Sequence, residues 1–260
     1  MNFLTLSLSL VFVFIPIVLS KVLKLELEKD TIIATVRSVV QLLAVGYVLK
    51  FVFDSENMIY ILLMIILMIV AATHNARKKG TSIKGITWKL VVTFITIEVV
   101  TQTILLGFGI IPPTAQYLIP ISGMMIGNSM VLSILFLNRF TAEIESNQDA
   151  IELILSLGGT PKQAIHTQLV NSIKASTIPT IESQKTIGLV QLPGMMSGQI
   201  IAGADPVQAV LFQLLILFLL LTTAVVSSAL LGFLSYPSLF NERKQLLKKI
   251  TTSTSDTEKS

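Results

Sequence analysis

The sequence predicts an all-α, polytopic membrane protein of about seven transmembrane helices, N-terminus outside and C-terminus inside. Three observations carry this expectation. Apolar residues make up 52% of the chain and charged residues only 13%, where a soluble domain carries about a quarter charged residues. The apolar residues fall in runs that approach or exceed the roughly 20 residues needed to cross a bilayer core. Lys and Arg, moreover, sit almost wholly in alternate connections between those runs, the bias that sets orientation.

The first run, about Asn2–Ser20, has no basic residue before it, and Lys21 and Lys24 follow it. A signal peptide has the reverse charge order and a small-residue cleavage site, so a retained helix is expected. The second and third spans are about Thr31–Phe53 and Met58–Thr73. The fourth, about Trp88–Ile111, stops at Pro112-Pro113, and the fifth runs about Tyr117–Phe140. The sixth, about Pro179–Ala204, is the least apolar and holds Pro193 and four glycines; the seventh is about Pro206–Leu234. Connections carrying Lys21 to Lys29, Arg77 to Lys84, Arg139 to Lys174 and Arg243 to Lys249 are placed inside. Asp54–Asn57, Pro112–Gln116 and the turn at Asp205 hold no Lys or Arg and are placed outside. Residues 1–240 therefore read as one transmembrane domain. Residues 241–260, ending in TTSTSDTEKS, read as a partly disordered cytoplasmic tail.

One inner connection, about 141–178, is long and patterned. Ile144, Ile151, Ile154, Leu155 and Leu157 approximate a helical stripe beside Glu143, Glu145, Asp149 and Glu152. Gly158-Gly159 stops that helix. Thr160, Pro161 and Gln163 then form an N-cap, first-turn proline and capping-box set that starts another. A helix bound to lipid headgroups favours a basic polar face. This one is acidic, which suits a protein partner better.

Gly-Met-Met-x-Gly occurs twice, at Gly123–Gly127 and Gly194–Gly198, followed by an amide, Asn128 and Gln199. Gly123 and Gly127, and Gly194 and Gly198, each make a GxxxG face suited to close helix packing in lipid. Pro120 and Pro193 precede them and invite breaks in their helices. Met124, Met125, Met195 and Met196 offer soft thioether sulfur to a metal in passage, and also serve as adaptable packing. Asn128 and Gln199 are costly against lipid and are expected to face inward, along a translocation path. Glu98 and Gln102 share one face of the fourth span, where a charge is expensive and is either paired or a cation site. His74 and His166 are isolated and read as interfacial polar residues. The absence of cysteine removes thiolate chemistry. No phosphate-binding loop, nucleophile elbow or HExxH occurs, so no enzyme activity, no bound cofactor and no nucleic-acid partner are expected of this chain.

Two resemblances follow. ELILSLGGTP, Glu152 to Pro161, resembles the coupling loop of ABC-transporter permeases, with Glu152 and Gly158 at the matching positions and Leu153 and Ile154 in place of the usual alanines. THNARKK, GMMIGNSM, SLGGTP and above all IPTIESQKTIGLVQLPGMMSGQIIAGADP resemble the FetB-type permeases of bacterial iron-export ABC transporters, whose plant relatives are linked to aluminium tolerance. That resemblance covers nearly the whole chain. It implies a permease subunit in the cell membrane, its partners aside from lipid being a second copy and a separate cytoplasmic ATPase that consumes the ATP. It implies export of iron or a related metal ion, and docking of the ATPase on Glu152, Gly158, Gly159, Thr160 and Pro161. Relatives are also assigned aluminium or nucleotide-sugar roles, which leaves the substrate open. The rival readings are a self-sufficient secondary carrier or channel working through Glu98, and a membrane adaptor that transports nothing.

Overall fold

A computed structural model describes residues 11–55, 57–80 and 83–247. Among them the chain is helical and forms no strand, only isolated bridges at Ile187–Gln191 and Phe240–Leu246. Its contacts divide it into two units, Met1–Asn57 and Met58–Ser260. The first unit holds α1 (Val11–Leu23) and α2 (Glu28–Ser55). Buried Ser20 shapes the turn between them: its Oγ accepts from the Leu27 amide at 3.0 Å and its carbonyl from Leu25 at 2.9 Å. The predicted first span falls partly outside the described residues.

The second unit runs α3 (Met58–Ala76), α4 (Ile86–Gly107), α5 (Ala115–Ser146), α6 (Gln148–Ser156), α7 (Pro161–Ala164), α8 (His166–Thr186), α9 (Gly194–Ile201) and α10 (Pro206–Ser235). Among the described residues five helical stretches are long and apolar enough to cross a membrane: Glu28–Ser55, Met58–Lys79, Ile86–Gly107, Ala115–Ser146 and Pro206–Leu239. Their starts follow local rules. Asp205 caps α10 by accepting from the Gln208 amide at 3.0 Å, with Pro206 in the first turn. Gly85, with φ of 70°, turns the chain into α4 in a conformation that favours glycine.

The sixth span is not a single helix. Its first part, through Thr186, is the end of α8, which begins back at His166 and passes through Pro179 without a break. Gly188, at φ of 88°, and a turn up to Pro193 separate it from α9. The eight residues of α9 rise about 12 Å, well short of a hydrocarbon core about 30 Å thick. Glu182, Ser183, Gln184 and Lys185 in one turn explain why no apolar span forms there. Pro193 sits at the N-cap of α9, where the helix does break; Pro120 lies within α5, which is continuous over 32 residues. That helix also carries on past Phe140 into the predicted inner connection.

The connections of this unit that were grouped by their basic residues meet at one end of it. Ala76, Ile83, Ile86, Phe140, Ile144, Ile151, Ala164, Ile165 and Leu239 belong to one buried cluster. Gly80 and Gly232 admit close approaches between elements: a Cβ on Gly80 would stand 2.7 Å from Ile86 Cγ1, and one on Gly232 would stand 2.6 Å from Leu169 Cδ1 and 3.0 Å from Phe136 Cζ.

A candidate docking groove and an intramembrane polar seam

At that shared end, α6 lies on the core through Ile151, which is fully buried, and leaves Leu153 and Leu157 60% and 80% exposed. The helix stops in a glycine-dependent cap. Gly159 N–H donates to the Ile154 carbonyl at 2.9 Å and Gly158 N–H to the Leu155 carbonyl at 3.0 Å, the paired bonds of a Schellman motif. Gly158 has φ of 87°, and a Cβ on Gly159 would stand 2.8 Å from the Ile154 carbonyl oxygen. Each glycine therefore meets a distinct requirement, one of torsion and one of space. Thr160 then forms the predicted capping box: its Oγ1 accepts from the Gln163 amide at 3.3 Å, and Gln163 Oε1 accepts from the Thr160 amide at 2.8 Å.

The segment after Leu239 joins this surface. Asn241 and Gln245 pair through side chains and backbone, Lys244 takes φ of 60°, and Leu246 packs on the core. Residues 241–247 are thus an ordered turn, while the rest of the predicted tail lies outside the described residues. Turn and helix cap enclose a groove of about 700 Å³. Glu152, Ser156, Gly158, Gly159 and Thr160 line one side, with Arg243 and Lys244 on the other. Four of the predicted coupling residues line it, and Pro161 opens α7 behind Thr160. The basic wall went unnoticed in the sequence, where Arg243 and Lys244 read only as inner-side charges.

The second feature runs between the long helices. Glu98 on α4 is 6% exposed, and its Oε1 accepts from Ser122 Oγ on α5 and from Gln102 Nε2 at 2.9 Å. Gln102 Nε2 also donates to Ser122 Oγ at 2.8 Å. The carboxylate predicted to be paired or to hold a cation thus has neutral partners. Asn128 Nδ2 donates to Thr223 Oγ1 on α10 at 3.1 Å. Ser176 Oγ on α8 donates to Ser228 Oγ on α10 at 2.9 Å, and Gln184 Nε2 to the Leu217 carbonyl at 2.8 Å. Asn128, Thr180, Ser183 and Gln184 share a cavity of about 270 Å³ between α5, α8 and α10.

The Gly-Met-Met elements do not pack on each other within one chain. A Cβ on Gly127, Gly194 or Gly198 would meet nothing within 4 Å, and one on Gly123 would touch only Met68, on α3. Met125 and Met196 are buried, Met124 and Met195 half-buried. Gln199 is half-buried on α9, which packs chiefly on α10. Serines supply the close packing instead: Ser122, Ser129 and Ser133 on α5, Ser172 and Ser176 on α8, and Ser227, Ser228 and Ser235 on α10 are all buried. Gln168, Ser172, Ser176 and Ser183 recur at steps of four and seven residues in the sequence, a helical stripe that would have marked α8 as one element.

A family model described as an uncharacterised protein family, UPF0014, matches residues 3–240. The chain is 54% identical to the UPF0014 membrane protein YjkA of Bacillus subtilis over 95% of its length and 98% of the relative's. It is 41% identical to the probable iron export permease protein FetB of Escherichia coli, over 94% of each chain. It is 31% identical to the protein ALUMINUM SENSITIVE 3 of Arabidopsis thaliana, over 94% of this chain and 90% of that one. No solved structure matches it. Its apolar helices and these relatives make it a multi-pass membrane protein.

Proposed function

The chain belongs to the uncharacterised protein family UPF0014, and from that premise we propose that it is the membrane-spanning permease subunit of an ABC transporter. A separate cytoplasmic ATPase drives it, two copies form the transport path, and the cargo is iron or a related metal ion. The observation that carries this reading is the groove beside α6. Leu153 and the C-cap residue Leu157 stand exposed on a helix too short to span a membrane, and Glu152, the neighbour of Leu153, lines the groove together with Arg243 and Lys244. An exposed apolar pair rimmed by charge is the anatomy of a protein-docking site. The name of the Escherichia coli relative supports the same reading.

The test is purification of the chain from its own membranes together with a cytoplasmic ATP-binding subunit. Co-purification with stimulated ATP hydrolysis is expected; a chain that transports metal with no ATPase attached is a carrier, and the permease reading fails. In the same preparation, leucine at Met125, Met195 and Met196 conserves most of the volume and should leave assembly intact. Metal-stimulated hydrolysis should then fall, because the thioethers are proposed to contact cargo along a path with Asn128, Gln199, Glu98 and Gln102. Unchanged stimulation removes the methionines from that path.

The orientation belongs to the same proposal. The basic connections are cytoplasmic, so single cysteines at Asp54 or Asp205 should react with an impermeant thiol reagent on intact cells, and a cysteine at Lys78 should not. Since the chain has no cysteine of its own, the labelling pattern has no background. Labelling at Lys78 alone would invert the topology.

A further inference from the structure

We propose that Glu98, Gln102 and Ser122 form an intramembrane site for a hard divalent cation. Glu98 lies near the middle of α4, about 18 Å along the axis from Ile86 and about 14 Å from Gly107. It is therefore placed near the centre of the bilayer core, where an ionisable side chain is retained for pairing or for function. Among the described residues no basic group pairs with it. Its partners are the Ser122 hydroxyl and the Gln102 amide, and both engage the same oxygen, Oε1. The other oxygen, Oε2, is buried with no hydrogen-bond partner, as is the Gln102 Oε1 atom.

The helices packed against α4 offer no internal counter-charge. α10 carries no titratable side chain. α3 has only Tyr60 and His74, in its first and last turns, while α5 has Tyr117 near its start and Arg139, Glu143 and Glu145 near its far end. Arg139 is committed to Glu143 at 2.6 Å.

Two buried acceptors without donors are what a native core avoids. Protonation of Oε2 is the rival answer, and it predicts no Mn²⁺ uptake in the test below. A cation answers both: it takes carboxylate and amide oxygens and neutralises the charge. The ligands are oxygen alone, one carboxylate, one amide and one hydroxyl. That set suits hard cations such as Mg²⁺ or Mn²⁺, and is a poor match for the soft ions that thioethers prefer. The site thus differs in chemistry and in residues from the methionine elements. The inference rests on the permease reading only for how the cation arrives; binding itself requires no ATPase.

The test uses the purified full chain in nanodiscs and Mn²⁺ as probe, with free Mn²⁺ counted by electron paramagnetic resonance. One Mn²⁺ per chain is expected. Glu98→Gln keeps shape and removes charge, and should weaken binding at least about tenfold; Ser122→Ala should weaken it less. Glu143→Gln, a carboxylate at the far end of α5, should bind as the wild type does. Each variant is first checked for a monodisperse elution profile; if Glu98→Gln fails that check, Ser122→Ala decides. Wild-type chain that takes up no Mn²⁺, or a folded Glu98→Gln or Ser122→Ala variant that binds with unchanged affinity, overturns the site. The two proposals fail separately. Glu98-dependent binding without a co-purifying ATPase keeps the site and removes the ABC permease; a stimulated ATPase with Glu98-independent binding does the reverse.

Discussion

A Glu152→Lys, Gly158→Ala double variant should remain in the membrane at wild-type levels and lose the coupling of ATP hydrolysis to transport. Two separate effects converge on the groove. Glu152 faces a wall that holds Arg243 and Lys244, so lysine there makes the whole rim basic and opposes a partner that fits the present charge pattern. It also removes the acceptor of the 3.1 Å bond from Gln148 Nε2. Gly158 has open space around it but φ of 87°; alanine in that left-handed region costs about 1–2 kcal/mol. The helix cap then loosens and Leu157, beside it, loses its fixed position. Residues at the centre of an interface commonly contribute about 2 kcal/mol or more, some thirtyfold in affinity. ATPase retention on the immobilised chain and metal-stimulated hydrolysis are the measurements. Wild-type retention together with wild-type coupling would remove the groove from the docking surface.

The second large effect concerns a glycine outside the repeated elements. Gly232→Leu should sharply lower the yield of monodisperse protein and its melting temperature. Even a Cβ would overlap Leu169 Cδ1 at 2.6 Å and crowd Phe136 Cζ at 3.0 Å, and both neighbours lie in the buried cluster. Overpacking of this kind typically costs about 1–3 kcal/mol, with the larger side chain toward the upper end. Gly127→Leu and Gly198→Leu should leave the melting temperature of the single chain near the wild type, because added atoms there meet open space. If those two variants nevertheless break the dimer, the glycine faces meet between copies. A Gly232→Leu protein as stable as the wild type would mean that α5, α8 and α10 do not pack as described.

What could be read from the sequence was local or charge-driven. Thr160, Pro161 and Gln163 specify their capping box within four residues, and Gly158-Gly159 their helix stop. Basic residues identified the connections that meet around Ile83, Ile144, Ile165 and Leu239. Glu98 and Gln102, four apart on one helix, were visible as a pair. Their third member, Ser122, comes from the next helix, and only the register between α4 and α5 brings it there. The glycine pairs show the same limit: GxxxG gives a smooth helix face but not the neighbour that will fill it. In the single chain the close contacts fell instead to Gly80, Gly232 and the buried serines. Pro179 suggested a boundary and has none: the buried polar stripe of Gln168, Ser172, Ser176 and Thr177 lies before it, and α8 runs on past it to Gln184, which is half-buried and bonds the Leu217 carbonyl on α10.

That serine-rich packing has a mechanical consequence. Ser172 bonds the carbonyl of Gln168, Thr177 that of Ile173, and Thr223 that of Leu220, each on its own helix. A hydroxyl satisfied by its own backbone carries that bond along when its helix slides or turns. Small side chains also leave few ridges to climb. Ser176 with Ser228, Asn128 with Thr223 and Gln184 with the Leu217 carbonyl form bonds that cross from α8 or α5 to α10, so a shift of α10 against α5 and α8 has few polar contacts to break. The seam works as a lubricated bearing with three latches, and displacing α10 by a fraction of a turn requires releasing those latches rather than melting a polar core.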